Sequence, residues 1–72
     1  MKVLVTGGTG FVGSHLVRCL VGYENSVVCL VRPTSRLDNL ESLPTTLRQG
    51  DLTNLNSVRE AVKGCRMVFH CA

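Results

Sequence analysis

The sequence predicts an α/β fold of three layers, with a parallel sheet of about four strands, in the order 3-2-1-4, between helices on both faces. Three observations predict it. Short runs of Val, Leu and Cys alternate along the chain with stretches whose apolar residues recur every three or four positions. The first runs are apolar throughout instead of alternating with polar residues, as expected of strands covered on both faces. A cluster of glycines joins the first such run to the first periodic stretch. Right-handed crossovers assemble strand–helix–strand successions of this kind into one parallel sheet.

Lys2 to Thr6 is the first strand, closed by Gly7 and Gly8. From Phe11 to about Gly22, the residues Val12, Leu16, Val17, Leu20 and Val21 fall on one helical face, with His15 and Arg18 at other angles. Gly22 suits the close of that helix. Ser26 to Val31 is the second strand, which Pro33 stops at Arg32. Between Thr34 and Pro44, Leu37, Leu40 and Leu43 are spaced by three, which suggests a short helical turn begun near Ser35 or Asp38. Thr46 to Gln49 is a third strand, polar enough to lie at a sheet edge. Asn54 or Asn56 can cap a second helix in which Leu55, Val58, Ala61 and Val62 share a face, and Gly64 ends it. Met67 to Ala72 forms the fourth strand.

A chain of 72 residues has room for a single core. A domain of this size hides only about 60% of the surface its unfolded chain exposes. The fourth strand has no neighbour on its outer side, and bare apolar edges invite pairing with another chain. Residues 1–72 are therefore expected to be the N-terminal part of a larger domain, the rest of which lies elsewhere. Association through the exposed edge of strand four is the other outcome.

Composition excludes several classes of function. The charge of +3 comes from scattered basic residues, and only Phe11, Tyr23 and Phe69 are aromatic, so no basic stripe with interleaved aromatics suggests nucleic acid. The longest apolar run, Val27 to Val31, is far below the roughly 18 residues of a membrane span. The N-terminus lacks the pattern of a signal peptide, so a cytoplasmic protein is expected. Cys19, Cys29, Cys65 and Cys71 form no C-x-x-C pair and no zinc spacing, so no metal is expected. Cys19, Cys29 and Cys71 lie in apolar runs and read as small buried hydrophobes in a reducing compartment.

Thr6-Gly7-Gly8-Thr9-Gly10-Phe11-Val12-Gly13 contains both Gly8-x-Gly10-x-x-Gly13 and Gly7-x-x-Gly10-x-x-Gly13. Placed after a strand and opening a helix, such glycines let the backbone turn tightly and approach a pyrophosphate closely. The first-turn amides and the helix dipole then face the phosphates. This is the fingerprint of half a Rossmann-type fold and a dinucleotide cofactor. No G-x-x-x-x-G-K-[ST] occurs, which disfavours a P-loop nucleotidase.

At the end of strand two, where NAD-binding folds place an acid on the ribose, stands Arg32, 19 positions beyond Gly13. A guanidinium cannot accept a hydrogen bond from the ribose 2′-hydroxyl, but it matches a 2′-phosphate. NADP is therefore expected in preference to NAD, against the alternative that Arg32 is a solvated strand end. Arg36 could assist. Gly50-Asp51-Leu52 closes strand three on the ligand side of the sheet. The Asp51 carboxylate can accept from the adenine amino group, or it can cap the next helix.

These segments, together with Val31-Arg32-Pro33-Thr34-Ser35, Gly50-Asp51-Leu52-Thr53 and Val68-Phe69-His70-Cys71-Ala72, resemble the extended short-chain dehydrogenase/reductase family. That family is also called the NAD-dependent epimerase/dehydratase family. The nearest likeness is to its dihydroflavonol reductase-like branch, which includes hopanoid-associated sugar epimerases. The resemblance implies that Gly7, Gly10, Phe11, Val12 and Gly13 hold the pyrophosphate and that Arg32 reads the 2′-phosphate. It further implies that Asp51 and Leu52 contact adenine and that Cys71 and Ala72 line the cofactor.

The same resemblance implies catalysis by a Tyr-x-x-x-Lys pair with a Ser or Thr, the tyrosine acting as general acid and base. No such pair occurs here, because Val27 stands four positions after Tyr23. Tyr23 is expected to be a packing residue, and no catalytic residue is assigned. His15 and His70 have no neighbouring acid or nucleophile in sequence and read as helix-face and strand residues. The chain is expected to be the NADP-binding segment of an oxidoreductase or epimerase that transfers hydride at a carbonyl or nucleotide-sugar carbon, with the small-molecule substrate bound only by the longer protein. The alternatives are a non-catalytic NAD(P)-sensing module and an inert truncated product.

Overall fold

The computed structural model describes residues 1–71. The role expected of Ala72 lies outside these residues. The elements are β1 (Lys2–Thr6), α1 (Phe11–Gly22), β2 (Ser26–Val31), a 3-10 turn (Asp38–Leu40), β3 (Thr46–Gln49), α2 (Leu55–Val62) and β4 (Met67–His70). The sheet order is β3-β2-β1-β4 and every pairing is parallel, as the sequence predicts. In register, Val5 of β1 lies beside Cys29 of β2 and Phe69 of β4.

The sheet divides the core into two. Val3, Val5, Val27, Cys29 and Val31 point to the side of α1, where they meet Val17 and Leu40. Leu4, Val28 and Leu30 point the other way, onto Ala61 of α2 with Val58 and Val62 beside it. Successive side chains of a strand face opposite sides. A strand covered on both sides therefore needs the unbroken apolar runs of β1 and β2. The edge strand β3 is exposed along its whole length, in keeping with its polar sequence.

Helix termini follow local chemistry. Asn54, not Asn56, caps α2, its Oδ1 accepting the Ser57 N–H at 3.2 Å. Gly64, at φ 77°, turns the chain after α2. After α1 the left-handed position is taken by Glu24, at φ 65°, and Gly22 remains within the helix.

Several side chains depart from expectation. Cys19 is exposed instead of buried, because it lies two residues from the fully buried Val17, and two residues turn a helix about 200°. Cys71 is only half-buried, because it follows β4, which ends at His70 and is an edge strand with mostly exposed residues. Tyr23 is not a packing residue. It caps the end of α1 and is 84% exposed. Val12 and Leu55 lie at the starts of α1 and α2 and are exposed, although periodicity puts each on its helix's apolar face. No helix among the described residues is long and apolar enough to cross a membrane.

Candidate functional site

A parallel sheet brings the carboxyl ends of its strands to one edge, and ligands of such sheets bind there. Here the ends of β1, β2 and β3 enclose a cavity of about 240 Å³. Thr6, Gly7 and Thr9 line it from β1, Leu30, Arg32 and Ser35 from β2, and Gly50, Asp51 and Leu52 from β3.

The glycine turn forms the β1 side. Gly7 takes φ 73°, in the left-handed region, and its carbonyl accepts the Gly10 N–H at 3.2 Å. Gly10 then caps α1 without any side-chain hydrogen bond, and no acid stands in the first turn. The Ser14 N–H is satisfied by Gly10 O at 2.9 Å. The N–H groups of Phe11, Val12 and Gly13 have no acceptor among the described residues. Three unserved amides thus stand at the positive end of a 12-residue helix, an arrangement that favours negative charge nearby.

Arg32 is held by its backbone. Its N–H donates to Ser35 Oγ at 2.9 Å, and its carbonyl accepts the Ser35 N–H at 2.9 Å. The Arg32 guanidinium takes part in neither of the ion pairs found among the described residues, Arg36–Asp38 and Lys63–Glu60. Arg36 is engaged with Asp38 at 2.9 Å and does not line the cavity.

Asp51 does not cap α2. Its Oδ1 accepts the Thr53 N–H and the Thr53 hydroxyl, each at 2.9 Å. These two bonds, together with the charge of Arg32, hold its carboxyl below the ordinary value, against a smaller opposing effect of burial. Asp51 is thus an anion with Oδ2 free of partners among the described residues.

The cavity therefore gathers Gly7, Arg32, Asp51 and Leu52 from among the residues singled out in the sequence. Gly10, Phe11, Val12 and Gly13 form the helix mouth and do not line it. Cys71 stands apart at the end of β4, its N–H bonded to Thr6 O at 2.9 Å. Beside it the Thr6 hydroxyl and His70 Nδ1 are 2.6 Å apart, which gives His70 a partner that its sequence neighbours did not reveal. Thr6, Thr9, Leu30, Ser35 and Gly50 also line the cavity without having been assigned a role. Each lies within three residues of one that was, so the strand ends themselves were the signal.

Known proteins resemble this chain in sequence and fold. The sequence profile described as the NAD dependent epimerase/dehydratase family matches residues 3–72. A Synechocystis sp. protein carrying a dihydroflavonol 4-reductase name is 48% identical over 68 residues, which cover 94% of this chain and 20% of that protein. The 3-beta-hydroxysteroid dehydrogenase of Mycolicibacterium neoaurum is 42% identical over 71 residues, 99% of this chain and 19% of its own length. Among solved structures, the Thermus thermophilus UDP-glucose 4-epimerase in complex with NAD superposes with a TM-score of 0.83 at 35% identity, covering 100% of this chain and 24% of that one. The chain thus spans about a fifth of the length of the relatives it matches. Since the family profile extends over nearly every residue, the chain belongs to the NAD-dependent epimerase/dehydratase family.

Proposed function

We propose that this chain holds the adenosine and diphosphate portion of NADP, in preference to NAD, for a protein that transfers hydride at a carbonyl or nucleotide-sugar carbon. The observation that carries the reading is the row of three unserved amides at the mouth of α1 beside a cavity that ends at an unpaired Arg32. The amides of Phe11, Val12 and Gly13 suit the diphosphate, and Gly7 and Gly10 keep the turn open to it. The Arg32 guanidinium suits a 2′-phosphate by charge and by its planar donors. Leu52 and Leu30 offer apolar surface to a purine, and Asp51 Oδ2 can accept from its amino group. When bound, the nicotinamide would supply the hydride; the residues of this chain bind and orient the cofactor.

The named reductase, dehydrogenase and epimerase relatives support an oxidoreductase or epimerase as the whole protein. The Tyr-x-x-x-Lys pair expected for that chemistry does not occur among these 72 residues, since Val27 stands four positions after Tyr23.

A thermal-shift titration with NADPH, NADH and 2′,5′-ADP tests the reading. NADPH and 2′,5′-ADP should stabilise the chain at lower concentration than NADH, because a ligand stabilises according to its concentration relative to Kd. No stabilisation by any of the three would remove the dinucleotide assignment. Equal responses to NADH and NADPH would remove the role of Arg32.

A further inference from the structure

The wall of the cavity that carries Asp51 is fastened from behind by one hydroxyl. Ser57, in the first turn of α2, accepts the Asp51 N–H at 3.1 Å. The same Oγ lies 3.0 Å from Asp51 O and 2.8 Å from Asn54 O, to which its single proton can be donated. A second observation, independent of hydrogen bonding, involves Gly50. A Cβ at Gly50 would stand 2.7 Å from both Ser57 Cβ and Oγ, and 2.8 Å from Leu30 Cδ1. The backbone at Gly50 is thus pressed between Ser57 and Leu30. Gly50, Asp51 and Leu30 all line the cavity, whereas Ser57 does not.

The side chain of Asp51 is fixed as well. Thr53 occupies Oδ1 from two directions, which leaves Oδ2. An oxygen held by a rigid loop can distinguish a donor from an acceptor, because an acceptor placed against a carboxylate is repelled and leaves it unsatisfied. Adenine presents an amino group at its six position, and hypoxanthine presents a carbonyl oxygen at the same place.

We propose that Ser57 is a positioning residue that, by locking the Gly50–Asp51 backbone, makes the site select adenine over hypoxanthine in its dinucleotide. This inference rests on the dinucleotide reading above and names the residue that gives it base specificity. Ser57 touches no ligand. It acts through the place at which it holds Asp51.

The experiment compares the dissociation constants of NADPH and of its reduced hypoxanthine analogue, measured by calorimetry on the 72-residue chain, Ser57→Ala and Ser57→Thr. The unsubstituted chain should prefer NADPH by about fivefold or more, the effect of one hydrogen bond. Ser57→Ala should bring the preference close to unity by weakening NADPH alone, and Ser57→Thr, which keeps the hydroxyl, should restore most of it. If Ser57→Ala does not fold by circular dichroism, Ser57→Cys carries the same comparison, since a thiol fits the place but bonds weakly. A purely structural role would weaken both ligands equally, and that result overturns the proposal, as does full retention of the preference in Ser57→Ala. NADPH binding without any discrimination in the unsubstituted chain overturns this inference alone. Failure to bind NADPH at all overturns it together with the dinucleotide reading.

Discussion

Gly13 of α1 lies so close over Gly7 that a Cβ on Gly13 would stand 2.0 Å from the Gly7 carbonyl oxygen and 2.8 Å from its carbon. Both near atoms are backbone, so no side chain can swing aside. The contact seats the first turn of α1 against the end of β1, and with it the direction of the unserved amides. Gly13→Ala should cost about 1–3 kcal/mol through overpacking and should also weaken NADPH at least tenfold, since the turn must open to admit the methyl group. Gly10 is a control, because a Cβ there would meet only the Gly7 carbonyl, at 3.5 Å. Gly10→Ala should leave the melting temperature nearly unchanged. Thermal denaturation of the two variants, each with and without NADPH, checks this, and equal melting temperatures for both would contradict it.

Arg32→Ala should reverse the cofactor preference. A hydrogen bond to a charged group contributes about 1.5–3 kcal/mol, so the variant should lose roughly ten- to a hundredfold in affinity for NADPH and little for NADH. Because Arg32 takes part in no ion pair among the described residues, its removal should leave the fold intact. Arg36→Ala should shift neither ligand by more than about twofold, since Arg36 is occupied by Asp38 and a surface pair of this kind contributes little. Calorimetric titration of both variants with both cofactors gives the comparison.

The strands and the glycine turn were legible because each obeys a local rule. Val3, Leu4 and Val5 are apolar in succession because both faces of β1 are covered, and Gly13 is a glycine because backbone lies against it. Depth of burial was not legible where it depends on how far the sheet reaches past a helix. Val12 and Leu55 carry the right periodicity and are exposed all the same, each in the first turn of its helix. Cys19 shows the same error from another cause, since it stands about 200° around the helix from the buried Val17. The bond between Thr6 and His70 spans 64 positions. No spacing rule connects residues so far apart, and the register of β1 with β4 is what joins them. The roles of Ser57 and Gly50 were hidden for a related reason, since a serine six positions after Asp51 acquires meaning only once α2 folds back onto it.

The four thiols should separate by reactivity and by pH. Burial raises the Cys29 thiol to about 11, with the Thr45 hydroxyl partly offsetting the effect. Cys19 is exposed, and Cys65 and Cys71 are half-buried. Under native conditions at pH 8, a thiol reagent should modify Cys19 first and Cys29 only after unfolding, because the thiolate is the reacting species. The linkage has a definite sign. An unfolded thiol ionises near its ordinary value of 9.0 while folded Cys29 stays neutral to about 11. The unfolded state therefore binds fewer protons in that interval, and stability falls as pH rises from 9 to 11. The contribution is complete below pH 9. Cys29→Ala should flatten this alkaline limb in denaturant melts while lowering stability at pH 7. An unchanged alkaline limb would show that Cys29 is not its source.

The outer edge of β4 makes the last prediction. Among the described residues β4 pairs only with β1, and its Met67 and Val68 are 51% and 52% exposed on opposite faces of the sheet. Val68 lies in register with the buried Leu4, so it continues the α2 side of the core without a cover. An open parallel strand with apolar residues on both faces offers unpaired backbone and hydrophobic surface together, a combination that favours pairing with a second chain. At micromolar concentrations the 72-residue chain should therefore sediment above its monomer mass of 7.8 kDa. A lysine at Val68 should suppress the association, because charge on an edge strand opposes pairing, and it should leave the NADPH titration unaltered because Val68 lies outside the cavity. Sedimentation velocity on the chain and on Val68→Lys tests both halves of the argument. A monomeric unsubstituted chain would show that the β4 edge is not adhesive by itself, and an associated Val68→Lys variant would place the contact elsewhere.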